Sequence, residues 1–157
     1  MSKSVTINVE PIQINFSPYG FNHYASEYLA VARSIEVGQS FSPVPYYLYC
    51  RCLELGIKAF LLLKGLTKQE LKRKSLGHNL VEIVNKADSL GLSEYLIITA
   101  EEITEISKAN DYYESKDFEY VNIIKVVKGY PMLPNLQILD KLAEKIVERL
   151  RGACLNA

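Results

Sequence analysis

The region around His78 combines residue types that could bind or process a phosphate. His78 follows Gly77 and precedes Asn79 at the start of a predicted helix. Free backbone N–H groups and the helix dipole at such a start accommodate an anion beside the imidazole. A histidine at a helix start is also common as a structural cap, and one residue without a visible partner does not define a site. The sequence leaves both interpretations of His78 open.

A run of positive charge precedes His78. Residues 64–78 contain five lysines and arginines against the single acid Glu70, and Lys72, Arg73 and Lys74 are consecutive. Residues 94–119 hold eight acids against two lysines, so the overall balance of 18 cations and 18 anions conceals a polarised chain. This asymmetry suits a phosphate-bearing ligand, or complementary charges across a dimer. The simpler alternative is that these charged residues form a solvent-exposed surface without a ligand.

Glu54 and Lys58 form the second candidate constellation. They lie four positions apart on a segment that is otherwise apolar almost all round, so their side chains meet one helical turn apart. The pair could be an ordinary salt bridge where a helical bundle meets water. Because charges on a mostly buried helix are costly unless they are used, the pair could instead belong to a binding site.

Helical periodicity dominates the elements that must position these residues. Apolar spacing and cap residues predict helices over 24–37, 43–64, 67–75, 79–90, 93–113 and 134–152. The second of these is expected at the centre of the fold, because little of its surface is polar. Alternating polar and apolar residues over 5–16 predict a short N-terminal β strand or hairpin, which could pair with its copy in a dimer.

We therefore expect an all-α protein, an up-and-down bundle of five or six helices over residues 21–153. An extended or strand segment over residues 1–20 precedes it. With 157 residues, of which 48% are hydrophobic and 23% charged, the chain has the composition of one globular domain rather than a disordered or fibrous protein.

Targeting signals and cysteine usage indicate the compartment. The first residues lack the apolar run of a secretory signal, and no apolar stretch approaches the roughly 20 residues that span a bilayer. Three cysteines, an odd number, indicate a reducing compartment rather than a disulfide framework. We expect a cytoplasmic protein without membrane association, metal or cofactor.

A tyrosine-rich segment spans residues 110–120. Tyrosine rings could stack on bases. Acidic residues are interleaved with them and would repel phosphates, so packing or a protein interface is the favoured interpretation.

Three features occur together in the middle third of the chain, about residues 46–90: Glu54-x-x-x-Lys58-Ala59 in one long helix, Gly65 after it, and Gly77-His78-x-Leu80 opening the next helix. This pattern resembles the HEPN superfamily of nucleotide-binding helical domains. The resemblance implies an up-and-down helical bundle that is often dimeric. It also implies an association with RNA cleavage, toxin–antitoxin pairs or phage defence.

The expectation that follows is a HEPN-like homodimer that binds a nucleotide or RNA, with a nucleotidyltransferase or an antitoxin as a further partner. The residues expected to contact the ligand are Glu54, Lys58, Lys72, Lys74 and Asn79.

Two alternatives stay open. Many HEPN members act on RNA through an Arg-x4-6-His motif completed across the dimer, and Arg73 and His78 satisfy that spacing. The resemblance then implies a metal-independent endoribonuclease, with His78 as general base on the ribose 2′-hydroxyl and Arg73 neutralising the phosphorane. Lys74 stands where active members usually have Asn, Asp or His. The second alternative is a non-catalytic homodimeric interaction protein.

Overall fold

The structure, a computed structural model, describes residues 11–120 and 123–157. Within them every regular element is helical, which confirms the all-α class. The α-helices are α1 (Pro18–Ser34), α2 (Val44–Leu63), α3 (Lys68–Leu71), α4 (Leu80–Ser89), α5 (Ala100–Tyr113), α6 (Ile123–Lys128) and α7 (Leu136–Leu155). Two 3₁₀ turns, Lys74–Leu76 and Leu92–Glu94, lie between them.

The predicted N-terminal strand is not supported. Residues 5–10 of that prediction lie outside the described residues, and residues 11–16 form no strand. No other strand exists among the described residues to pair with this segment, so its backbone bonds to a side chain instead: Asn15 N donates to Tyr24 Oη at 2.9 Å.

Helix α2 lies at the centre of the fold, as its apolar surface predicts. It packs against α1, α4, α5 and α7, and most of its residues from Tyr49 to Leu61 are buried. Gly56 allows the close approach of α7, because a Cβ built at this position would stand 2.7 Å from Ile146 Cγ2. The single polar face of α2 is therefore enclosed by its neighbours rather than left to solvent.

Cap chemistry fixes several helix ends where the sequence places them. Helix α2 ends before Gly65, which adopts the left-handed φ of 89° that glycine tolerates. The capping box at the start of α3 is confirmed, with the Thr67 side chain accepting from Glu70 N and the Glu70 carboxylate accepting from Thr67 N.

Other boundaries differ from the predicted ones. Helix α1 begins at Pro18, because Ser17 caps it through a hydrogen bond from Gly20 N of 3.0 Å. The helix predicted from position 93 begins only at Ala100, where Thr99 and Glu102 form a capping box. Helix α7 continues past the predicted end at Gly152. Helix α6 has no counterpart among the predicted helices, so the described residues hold seven α-helices rather than five or six.

The tyrosine-rich segment and the cysteines contribute to the core. Tyr112, Tyr113 and Phe118 are buried, which confirms the packing interpretation for these three rings. All three cysteines are buried and free. Within the described residues no helix combines the length and apolar character needed to cross a bilayer.

Candidate functional site

A buried carboxylate, Glu54, organises the polar residues of α2. Its side chain is 3% exposed. Oε1 accepts from Lys58 Nζ at 2.7 Å, and Oε2 accepts from Arg51 Nη1 at 3.1 Å and from the Tyr113 hydroxyl. His78 Nδ1 lies 3.1 Å from the same Oε2. We call these five residues the Glu54 cluster.

Three elements bring the cluster together. Arg51, Glu54 and Lys58 share one face of α2 because they are spaced at three and four residues. His78 lies in the turn before α4, which Lys58 fixes by donating to Gly77 O at 2.6 Å. Tyr113 is the last residue of α5, and its ring meets the His78 imidazole edge-on at 5.7 Å between centroids.

Helix α4 is tied to α5 beside the cluster. Asn110 Oδ1 accepts from Leu80 N at 2.7 Å in the buried first turn of α4. Asn79 caps α4, its Oδ1 accepting from Glu82 N at 3.0 Å, and its Nδ2 donates to Glu114 Oε2 at 3.1 Å. The predicted ligand-binding residue Asn79 therefore uses its side chain within the fold.

The surroundings of Glu54 keep it ionised. Burial alone would raise its pKa, but the hydrogen bond from His78 and the charges of Lys58 and Arg51 outweigh burial and lower the pKa to about 2. Burial, followed by the negative charge of Glu54, raises the pKa of Tyr113. With Tyr113 neutral, Arg51 and Lys58 leave one positive charge in excess over Glu54.

The ionised Glu54 also determines which nitrogen of His78 carries the proton. A carboxylate can only accept hydrogen bonds, so Nδ1 is the protonated nitrogen that donates to Oε2. In the neutral imidazole Nε2 is then the acceptor. The side chain of His78 is 46% exposed, so this basic nitrogen belongs to a group that solvent or a ligand can reach.

The three consecutive cations before His78 lie at the surface. Lys72, Arg73 and Lys74 are exposed, and within the described residues none of them makes an ion pair. Arg73 precedes the 3₁₀ turn and makes no side-chain hydrogen bond with His78 or any other described residue. We call Lys72, Arg73, Lys74 and His78 the basic edge.

The structure joins Glu54, Lys58 and His78, three of the residues predicted from the sequence. Glu54 and Lys58 do form the predicted salt bridge, but its predicted position where the bundle meets water is wrong, since both side chains are at most 9% exposed. Sequence reasoning missed Arg51 and Tyr113 as members of the cluster. Arg51 could have been found from its spacing of three residues before Glu54, whereas Tyr113 comes from a distant helix and has no local signal.

Comparison with protein-family models, with curated proteins and with solved structures gave no significant match. The described part of the chain contains no group of three or more His, Cys, Asp or Glu side chains that could hold a metal ion. The functional argument therefore depends on the geometry of the Glu54 cluster and the basic edge.

Proposed function

We propose that this chain is a HEPN-like helical domain that binds RNA through the basic edge. The observation that carries the proposal is the exposed imidazole of His78, held through Nδ1 by the buried Glu54 and preceded in the chain by three cations that form no ion pair within the described residues. Lysine and arginine neutralise phosphates, and the free Nε2 of the neutral imidazole can accept a hydrogen bond from a ribose hydroxyl.

The three cations of the basic edge favour a polyanion. Lys72, Arg73 and Lys74 make no ion pair within the described residues, so their charge is available to a ligand. The Glu54 cluster adds one positive charge in excess beneath the surface. Electrostatic attraction of this kind supplies most of the sequence-independent affinity for nucleic acid.

The two segments that carry the HEPN resemblance are in contact. The two halves of the motif, Glu54-x-x-x-Lys58 and Gly77-His78, meet through the bonds of Lys58 to Gly77 O and of His78 to Glu54. The proposal includes an up-and-down bundle, a homodimer, cytoplasmic location and a role in a toxin–antitoxin or phage-defence pair, with a nucleotidyltransferase or antitoxin as partner.

The test is binding of a fluorescent single-stranded RNA, followed by anisotropy. The variant Lys72→Glu/Arg73→Glu/Lys74→Glu should bind at least about tenfold more weakly than the wild type, because three phosphate contacts become repulsive. The control Lys128→Glu/Lys141→Glu/Arg149→Glu changes the charge equally at exposed positions on α6 and α7 and should bind more tightly than the first variant. Equal loss in both variants, or no binding by the wild type, would overturn the proposal.

A second candidate function, metal-independent endoribonuclease activity, is favoured by the Nδ1 bond of His78. A carboxylate that orients an imidazole and leaves Nε2 unprotonated is the arrangement of a general base. In the proposed step Nε2 takes the proton of a ribose 2′-hydroxyl, and the 2′-oxygen attacks phosphorus. The 5′-oxygen leaves with a proton from water, giving a 2′,3′-cyclic phosphate, while Arg73 neutralises the phosphorane.

Cleavage of RNA by wild type, and none by His78→Ala, would establish the ribonuclease. Arg73→Ala should lower the cleavage rate while leaving the fold unchanged, because the Arg73 side chain makes no hydrogen bond within the described residues. Cleavage that persists in His78→Ala would end this candidate without affecting the binding proposal.

A further inference from the structure

A groove of about 820 Å³ opens between α1, α2 and the chain segment that precedes α1. Four aromatic rings line it: Phe16, Phe21, Tyr24 and Tyr28. The segment is fixed to α1, because Asn15 N donates to Tyr24 Oη and the Phe16 and Phe21 rings pack edge to face at 4.9 Å. The volume is within the range of sites that hold small organic groups.

Two positively charged side chains lie beside these rings. The Arg51 guanidinium lies 5.6 Å from the centre of the Tyr28 ring, and Lys68 Nζ lies 5.4 Å from the centre of the Phe16 ring. Glu27 is the one carboxylate among the described residues of the lining. Ring faces beside positive charge are the combination that binds an unpaired nucleotide, since the base stacks and the phosphate is neutralised.

The groove adjoins both parts of the site described above. Arg51 lines the groove and also donates to Glu54, the residue that holds His78. Arg51 Nε is buried without a hydrogen-bond partner among the described residues. Lys68 opens the short α3, and the basic edge begins just after that helix. An RNA strand that follows the basic edge would reach the groove along α3, since Lys68 at the start of this helix lines the groove and Lys72 follows its end.

We propose that this groove takes one unpaired nucleotide of a single-stranded RNA, with the base on the aromatic lining and the phosphate beside Arg51 and Lys68. The inference rests on the proposed RNA-binding function and adds a preference for single strands. A duplex keeps its bases paired and stacked, so it cannot offer a base to the groove.

A tryptophan reporter tests the stacking directly. The chain contains no tryptophan, so Phe16→Trp introduces a single tryptophan into the groove, which can be excited apart from the tyrosines. Single-stranded RNA should quench its fluorescence, and the duplex of the same sequence should not. The control Tyr19→Trp places the fluorophore three residues away, at an exposed position outside the groove lining, and should be quenched far less.

Affinity gives the second readout. Phe16→Ala should weaken binding of single-stranded RNA about tenfold, because one stacked base is lost, and Phe16→Tyr should restore it. The matched control Tyr19→Ala should bind as the wild type does. Circular dichroism melting shows that each variant is folded.

The outcomes separate the two proposals. If the charge reversal at the basic edge weakens binding while Phe16→Ala does not, the groove proposal is overturned and the RNA-binding function stands. Equal quenching in both tryptophan variants, or duplex binding as tight as single-strand binding, also overturns the groove proposal. A wild-type protein that binds no RNA overturns both.

Discussion

His78 Nδ1 lies 3.1 Å from Glu54 Oε2, which joins an exposed imidazole to a carboxylate at the centre of the fold. The two residues are 24 positions apart and belong to different elements, so only the tertiary structure brings them together. Because Lys58, Arg51 and Tyr113 also donate to Glu54, the same carboxylate stabilises the junction of α2, α4 and α5. The cluster thus has a structural role and also orients a group at the surface.

The protonation of His78 provides one prediction. In the neutral side chain the proton should reside on Nδ1, because ionised Glu54 accepts from it. Long-range ¹H–¹⁵N NMR spectra at alkaline pH distinguish the two tautomers. Glu54→Gln should weaken the preference for Nδ1–H, since an amide no longer imposes an acceptor. A wild-type spectrum dominated by the Nε2–H tautomer would contradict the assigned hydrogen bond.

The burial of the ion pair between Glu54 and Lys58 provides a second prediction. Lys58→Met should lower the free energy of unfolding by about 1–3 kcal/mol, because it leaves Gly77 O without its Lys58 donor and Glu54 with one donor fewer, while Arg51 still neutralises the carboxylate. The surface pair Arg151–Glu148, with both side chains more than half exposed, is the control. Arg151→Met should cost less than about 1 kcal/mol. If urea unfolding gave similar losses of unfolding free energy for Lys58→Met and Arg151→Met, the Glu54 cluster would not be buried.

The contribution of Glu54 to folding stability should be lost in acid. Its pKa in the folded protein is about 2, below the ordinary value of 4.5, so the unfolded chain binds its proton first as the pH falls. The stabilisation is full above about pH 5 and is lost progressively towards pH 2, and its size is on the order of 3 kcal/mol. In urea unfolding, the stability difference between wild type and Glu54→Gln should narrow over this window. A constant difference would be inconsistent with a depressed pKa.

Replacing each of two glycines with alanine should change the stability of the protein in opposite directions. Gly56→Ala should destabilise the protein by about 1–3 kcal/mol, because the new methyl group would meet Ile146 Cγ2 at 2.7 Å between α2 and α7. Gly152→Ala has open space around it within α7 and should stabilise by up to about 1 kcal/mol through helix propensity. Thermal melting of the two variants measures these stability changes. If Gly56→Ala left the stability unchanged, α2 and α7 would be packed less closely than the structure has them.

Local chemistry explains which parts of the fold the sequence could predict. The capping box at Thr67 and the glycine stop at Gly65 involve neighbouring residues, so the end of α2 and the start of α3 could be placed from the sequence. The start of α5 was misplaced, because apolar residues at 95–98 continue the helical spacing although Thr99 caps the helix after them. Alternation over residues 11–16 suggested a strand, but a strand needs a partner, and the described chain offers none.

The site could be predicted only in part for a related reason. Glu54 and Lys58 are one turn apart, and their pairing follows from helix geometry. Whether that pair faces water or the interior depends on α4 and α5, which spacing along α2 does not reveal. The contribution of Tyr113 depends wholly on how α5 packs.

The salt dependence of RNA binding tests the central claim most directly. For single strands, the logarithm of the affinity falls with the logarithm of salt concentration by about 0.7 for each phosphate contact. If Lys72, Arg73 and Lys74 each neutralise one phosphate, the wild-type slope should be about −2 or steeper, and reversing the three charges should remove about 2 from it. A slope near zero, or one that the charge reversal leaves unchanged, would contradict RNA binding at the basic edge.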